Sequence, residues 1–314
     1  MKEIGGYFGL EKLISNEYYP DLIALNNARN GLIYLIRAKH IKKIYLPYFL
    51  CESVSLACQK EGVECEFYFI NGSFLPDVNG YFSDNEWLYV VNYYGQISNS
   101  QIAEIQNRYG NIIVDNVQAF FQKPIEGIDT IYSCRKFFGV PDGAYVATDA
   151  RIDDMSIDKS KDRMKHLLGR FEDGNASEYY AVFKANDNAF KTTPLCAMSA
   201  VTHNLLGAID YAEAKRKREE NFAVLHSMLG DKNRLGIVAP EGPYAYPFFC
   251  ENGMEIKRKL AENKIYVPTL WPKVLTLDDT LEKDYAENIL PLPCDQRYDA
   301  DDMKIVAESV LIDL

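Results

Sequence analysis

Between residues 29 and 148 the chain switches repeatedly between two textures, and this alternation restricts the fold more than any other feature. Short runs rich in Val, Ile, Tyr and Phe occur at 43–48, 65–70, 87–93, 111–115, 129–133 and 144–148. Several lack polar alternation, the pattern of strands covered on both faces. Helical patterns fill the early gaps at 29–40, 52–61 and 101–108. A strand–helix–strand succession predicts right-handed crossovers, hence an α/β fold with a mainly parallel sheet sandwiched by helices. Sheets of this kind bind ligands beyond the carboxyl ends of their strands.

Past Arg151 the texture changes. Residues 151–195 are charged and irregular, with no strand pattern, and 200–229 reads as one long helical stretch. Strand patterns follow at 244–250, 264–267 and 289–292, with helical ones at 254–262 and 301–311. The expected organisation is a large domain at 1–200 and a smaller C-terminal α/β domain at 201–314. The run KRKREE at 215–220 interleaves bases with acids and reads as a solvated helix face.

Acidic residues outnumber basic ones 45 to 34, a net charge of −11, which argues against nucleic acid or an anionic membrane as partner. No apolar run approaches the roughly 20 residues that span a bilayer. Charges stand early in MKEIGGYFGLEKL, where a secretory signal would be apolar. The expectation is a cytoplasmic globular protein. Seven scattered cysteines, none in a C-x-x-C pair, and four histidines without helical ligand spacing point to no disulfide framework and no metal site.

Three features fall where a strand-end site forms. IIVDNVQAFF places Asp115 at the end of a strand, with Gln118 three residues on. Alone, Asp115 reads as a turn-capping residue; the alternative is a buried carboxylate facing a cationic ring nitrogen. IYSCRKFFGVPDGAYVAT delivers Ser133, Arg135 and Lys136 after another strand. Lys136 reads either as an exposed loop lysine or as an amine beside the apolar pair Phe137–Phe138, poised for Schiff-base chemistry. Asn26 and Asn27 precede a helical pattern, whose N-terminus offers free N–H groups to a phosphate, although capping explains them equally. In this order, the three suit pyridoxal 5'-phosphate, which needs a lysine, a carboxylate for its pyridine nitrogen and a phosphate cradle.

These segments, with YLPYFLCESV, VVNYYGQ, REENFAVL and ILPLPCDQRY, resemble the DegT/DnrJ-type sugar aminotransferases of the fold type I pyridoxal-phosphate superfamily. The resemblance runs through most of the chain, with Gly95 standing 20 residues before Asp115 and Asp115 standing 21 before Lys136. It implies that Lys136 is the Schiff-base lysine, holding the cofactor as an internal aldimine and later shuttling the substrate proton. Asp115 would keep the pyridine nitrogen protonated and Gln118 would touch the phenolic oxygen. Ser133 and the backbone of Ala28, Arg29 and Asn30 would bind the phosphate. Asn27, Ala28 and Arg29 replace the family's Ser-Gly-Thr-like triplet, with Arg29 supplying charge instead. The stacking aromatic is replaced by Cys51 in ungapped alignment, which moves the expected stacking role to Phe49.

The resemblance further implies transfer of an amino group from a donor, glutamate, to the keto group of a nucleotide-linked sugar for polysaccharide or secondary-metabolite synthesis. It also implies a homodimer with the site at the interface. Thr192, Thr193 and Ser199 lie where the family places contacts to the partner chain, although loop and capping roles explain each. Two alternatives stand beside this reading: another pyridoxal-phosphate reaction on a non-sugar carbonyl, and a non-catalytic homologue that keeps the fold as a binding or regulatory module.

Overall fold

The computed structural model describes residues 4–314 apart from 79, 81 and 84. The chain opens with β1 (Ile23–Leu25), α1 (Ala28–Ala38), β2 (Lys43–Pro47), α2 (Glu52–Lys60), β3 (Glu64–Ile70) and a two-residue β4 (Pro76–Asp77). It continues through β5 (Glu86–Val91), α3 (Asn99–Tyr109), β6 (Ile112–Asp115), β7 (Asp129–Ser133) and β8 (Ala144–Ala147). These strands form one sheet in the order β1-β8-β7-β6-β5-β2-β3-β4. Strands β3, β2, β5, β6 and β7 run parallel, while β8 is antiparallel to both β7 and β1. The order turns back between β2 and β5, because β3 lies on one side of β2 and the later strands on the other. A crevice at the strand carboxyl ends belongs at such a reversal.

The centre of the sheet is dry. All residues of β6, β7 and β8 are buried, which accounts for their unbroken apolar runs. Helix α1 reaches this sheet through Gly31, where an added Cβ would sit 3.1 Å from methyl groups of both Ile131 and Val146. The absent side chain is what lets the helix lie against β7 and β8.

The remaining chain adds α4 (Lys165–Asp173), α5 (Tyr180–Ala189), α6 (Ala200–Leu206), α7 (Tyr211–Leu229), β9 (Tyr246–Phe249), α8 (Gly253–Glu262), α9 (Leu281–Asn288), β10 (Ile289–Leu292) and α10 (Ala300–Ile312). Strands β9 and β10 pair antiparallel, and a second apolar cluster of Phe222, Leu225, Tyr246, Phe248, Leu290 and Met303 gathers on them. The C-terminal part is not set apart from the first core, however. Trp271 meets Phe49 edge-on at 4.6 Å, and buried Glu282 accepts the N–H of Ile70 at 2.8 Å.

Three expectations need correction. Segment 151–195 is not irregular throughout, since it carries α4 and α5; α4 begins at Met164 without a side-chain cap and α5 at Tyr179 likewise. The stretch 200–229 is two helices, broken at Gly207 and restarted by Asp210, whose carboxylate accepts the N–H of Glu213 at 2.9 Å. Residues 264–267 form no strand: Lys264 is left-handed at φ +61° and Ile265 donates back to Leu260 at the end of α8.

Gly31→Leu is expected to lower the unfolding free energy by roughly 2–3 kcal/mol through overpacking against Ile131 and Val146. Gly31→Ala is expected to cost less than about 1 kcal/mol, because improved helix propensity offsets the tight contact. Urea unfolding of the two variants checks the pair.

Candidate functional site

The site is assembled by the loops that leave β5, β6 and β7. Asp115 ends β6, with Val91 of β5 opposite on one side and Ile131 of β7 on the other. Its carboxylate is buried and accepts the Tyr89 hydroxyl at Oδ2 (2.8 Å) and the Val117 N–H at Oδ1 (3.0 Å). Desolvation pushes its pKa up to about 6, against the opposing pull of these two hydrogen bonds and the nearby charge of Lys136. Tyr89, which the sequence reading passed over as a strand residue, is therefore the side chain that keeps the carboxylate ionisable.

Lys136 closes the 3-10 turn Cys134–Lys136 that follows β7. Its side chain is exposed and donates to no protein acceptor among the described residues. The adjacent rings of Phe137 and Phe138 turn inward instead, into an aromatic cluster with Phe120, Phe121, Tyr132 and Tyr145. Lys136 is thus a free amine on a rigid turn, rather than one enclosed by its apolar neighbours. The turn is fixed by Phe137 and Phe138, which both donate to the Cys134 carbonyl at 3.0 and 2.9 Å. Cys134 donates to Gly143, and Gly143 donates to Asn26 at 2.7 Å, tying the lysine turn to the residue before α1. Gly143 holds φ +116° beside Cys134 and Thr202, a conformation and a space that exclude a side chain.

Gln118 is buried on the loop after β6, and its Oε1 accepts the N–H of Tyr94 at 2.8 Å. Tyr94 sits at φ +54°, strain of order 1–2 kcal/mol that this bond helps to hold. The Gln118 Nε2 has no protein partner among the described residues, which leaves it able to donate to an oxygen in the crevice. Asn92 ties the same loops together: its Nδ2 donates to Ile97 O, Asn116 Oδ1 and Gln122 Oε1.

The helix end is partly closed. Asn27 caps α1 by accepting the N–H of Asn30 at 2.9 Å, so that amide is not available to an anion. Asn30 directs its own Nδ2 to Asn26 Oδ1 and Pro194 O, both at 2.8 Å. The N–H groups of Ala28 and Arg29 have no acceptor among the described residues. The Arg29 Nε and Nη1 atoms are buried without a hydrogen-bond partner, in a cavity of about 30 Å³ lined also by Lys60, Phe190, Lys191 and Thr193. Arg135 lies on the Phe190 ring at 4.6 Å and pairs with Asp187 at 3.3 Å. Ser133 is buried at the end of β7, directly before the turn.

Phe49 falls differently from expectation. Phe49 is wholly buried (0 % exposed), with its ring among Tyr93, Trp271 and Tyr285, so it presents no face to the crevice. Cys51 is the exposed residue at the start of α2. Ser199 is a helix cap, accepting the N–H of Thr202 at 3.2 Å.

A carboxyl whose folded pKa lies above its ordinary value keeps a proton that the unfolded chain has lost. Stability from Asp115 therefore falls as pH rises from about 4 to 6 and stays reduced above that. Asp115→Asn removes this fall, and at pH 7 the variant is expected to be roughly 2–3 kcal/mol more stable than wild type. Denaturant titrations of both proteins at pH 4, 6 and 7.5 check the sign.

No protein-family model and no curated protein sequence matches the chain. Solved structures do. NtdA from Bacillus subtilis, with bound cofactor PMP, superposes with a TM-score of 0.67 over 93 % of this chain and 72 % of its own, at 15 % identity. A DegT DnrJ EryC1 StrS aminotransferase from Brucella abortus gives 0.61 over 92 % and 85 %, at 14 % identity. The sugar aminotransferase CalS13 from Micromonospora echinospora gives 0.62 over 92 % and 86 %, also at 14 % identity. At these identities the likeness is one of architecture: the chain has the fold of the DegT/DnrJ/EryC1/StrS aminotransferases, that is, fold type I.

Proposed function

We propose that the chain is a pyridoxal-phosphate-dependent aminotransferase that moves an amino group from an amino acid donor, glutamate, to a keto group on a nucleotide-linked sugar. The observation that carries this reading is a desolvated carboxylate, Asp115, near enough to the unbonded primary amine of Lys136 to feel its charge, at the strand ends of this fold. An uncompensated buried carboxylate is costly, and a cationic ring nitrogen is the partner that removes the cost. The residues present suit the cofactor. Asp115 takes the ring nitrogen, Gln118 Nε2 the phenolic oxygen, and Ser133 with the free N–H groups of Ala28 and Arg29 the phosphate. The partnerless Arg29 guanidinium adds positive charge beside that helix end.

When bound, the cofactor supplies an electron sink for charge developing at the substrate carbon. The chain's own residues do the rest. Tyr89 and the Val117 N–H favour ionised Asp115, so it holds the proton on the ring nitrogen rather than taking it. Lys136 would hold the cofactor through its Nζ, and that amine, once freed by the donor, would serve as the base that carries a proton at the substrate carbon. The rigid turn at Cys134–Phe138 limits how far that amine can wander between the two roles.

A non-catalytic alternative is favoured by one observation, the capping of the Asn30 N–H, which takes an amide from the phosphate cradle. Adding pyridoxal phosphate to the purified protein separates the two. A visible band that borohydride bleaches is expected in wild type and not in Lys136→Ala. Asp115→Asn is expected to keep the band and lose roughly 100-fold or more in transamination. A wild-type protein that gives no band overturns the enzyme reading.

We also infer a homodimer in the cytoplasm, with 1–200 and 201–314 as its two units. Ile4, Tyr7, Phe8 and Ile14 are exposed, as are Phe171 and Tyr180 on α4 and α5, which supports burial against a second copy. Light scattering is expected to give twice the chain mass, and removal of residues 4–14 to raise the dimer dissociation constant at least about tenfold. A monomeric wild type overturns this.

A further inference from the structure

The turn that carries Lys136 is held from outside the sheet as well as from within. The carbonyl of Phe137, the next residue, accepts two side-chain donors from the C-terminal part of the chain. These are Gln296 Nε2 at 2.8 Å and Arg218 Nη2 at 3.2 Å. The two donors also bond to each other, Arg218 Nε to Gln296 Oε1 at 2.7 Å, and Arg218 Nη1 reaches the Pro243 carbonyl at 2.8 Å. The guanidinium lies 4.5 Å from the centre of the Phe137 ring.

Arg218 stands on α7 within the KRKREE run, and it is the exception to that solvated face, at 1 % exposed. Removing a guanidinium from water costs several kcal/mol. No carboxylate is hydrogen-bonded to it among the described residues; Asp295 is close enough to attract it but is bound bidentately by Arg297. Its donors point instead at Gln296 and at two backbone carbonyls, one of them that of Phe137, the residue after Lys136. A Met or Leu would fill the same volume against Phe137 without the desolvation cost. The charged fork is informative because packing alone does not call for it.

We infer that Arg218 and Gln296 are positioning residues for Lys136. Two donors on one carbonyl fix the plane of the Phe137–Phe138 peptide, and the stacked guanidinium fixes the ring. Together they set the direction in which the Lys136 side chain leaves the turn toward Asp115. Because Arg218 rides on α7 and Gln296 on the segment between β10 and α10, the setting of the lysine is coupled to where those elements sit. This assignment rests on Lys136 being the reacting amine.

Gln296→Glu separates positioning from anchoring: its carboxylate still accepts from Arg218 but has no hydrogen to give the Phe137 carbonyl. Arg218→Lys keeps the charge and loses the fork. Two readouts are taken on the full-length protein. The first, on cofactor-free protein, is the acetic anhydride labelling rate of Lys136 relative to exposed Lys161, by mass spectrometry. The second is the pH midpoint of the visible band with pyridoxal phosphate added.

Gln296→Glu is expected to change the labelling ratio at least about threefold and to move the midpoint by roughly half a pH unit, at an unchanged thermal midpoint. Both readouts matching wild type overturn the proposal. If Arg218→Lys loses its thermal transition, Gln296→Glu and Gln296→Met, at a half-buried position, still decide it. A wild type without a visible band overturns the aminotransferase reading, while the labelling ratio continues to test the positioning role.

Discussion

A carboxylate held out of water at the end of a central strand is the interaction on which the other parts of this structure depend. Asp115 can be buried there because β6 lies between β5 and β7 in a sheet covered on both faces. It can remain ionisable there because Tyr89, on the neighbouring strand, reaches it with a hydroxyl. An ionised side chain in that position weakens the fold, the kind of local cost that stability alone does not call for. The left-handed Tyr94 is a second local cost in the same crevice, and the Gln118 amide that holds it is also the group left with a free donor.

The crevice is joined to its surroundings by backbone more than by side chains. Cys134, Gly143 and Asn26 pass hydrogen bonds from the lysine turn to the start of α1. The position of the helix end relative to the amine therefore depends on a glycine with a conformation closed to other residues. From the opposite direction, Arg218 and Gln296 meet the same turn at the Phe137 carbonyl. Lys136 itself has no hydrogen-bond acceptor among the described residues, so the turn fixes its backbone and leaves its amine free.

Composition made the sheet legible: six of the eight strands of the first half begin and end within two residues of where their Val-, Ile-, Tyr- and Phe-rich runs place them. Asp115, Gln118 and Lys136 are expected at or just past the ends of those runs, and the chain places them there. What escaped has physical causes. Strand β1 is three residues long and antiparallel, too short for a pattern. Helices α4 and α5 lack side-chain caps, so nothing marks their starts. Arg218 is chemically identical to its solvated neighbours, and only packing distinguishes it. Phe49 was a reasonable choice for a stacking residue by type, but its ring fills the gap between Tyr93 and Trp271, where a residue of any role would be buried.

One amide reaches further than its size indicates. Asn26 Nδ2 donates to Asp158 Oδ2 at 3.0 Å and to Pro194 O at 3.1 Å, so the excursion carrying α4 and α5 leaves and returns at the same side chain. With its two ends stitched together, the excursion is a closed loop, and the free energy of closing such a loop grows only with the logarithm of its length. Its interior can be lengthened, shortened or recomposed while Asn26 still presents its carbonyl to Gly143. The fold thus separates a stretch of chain open to rapid divergence from the frame around Asp115 and Lys136, which is not, and relatives of this protein should differ most in length between these two stitches.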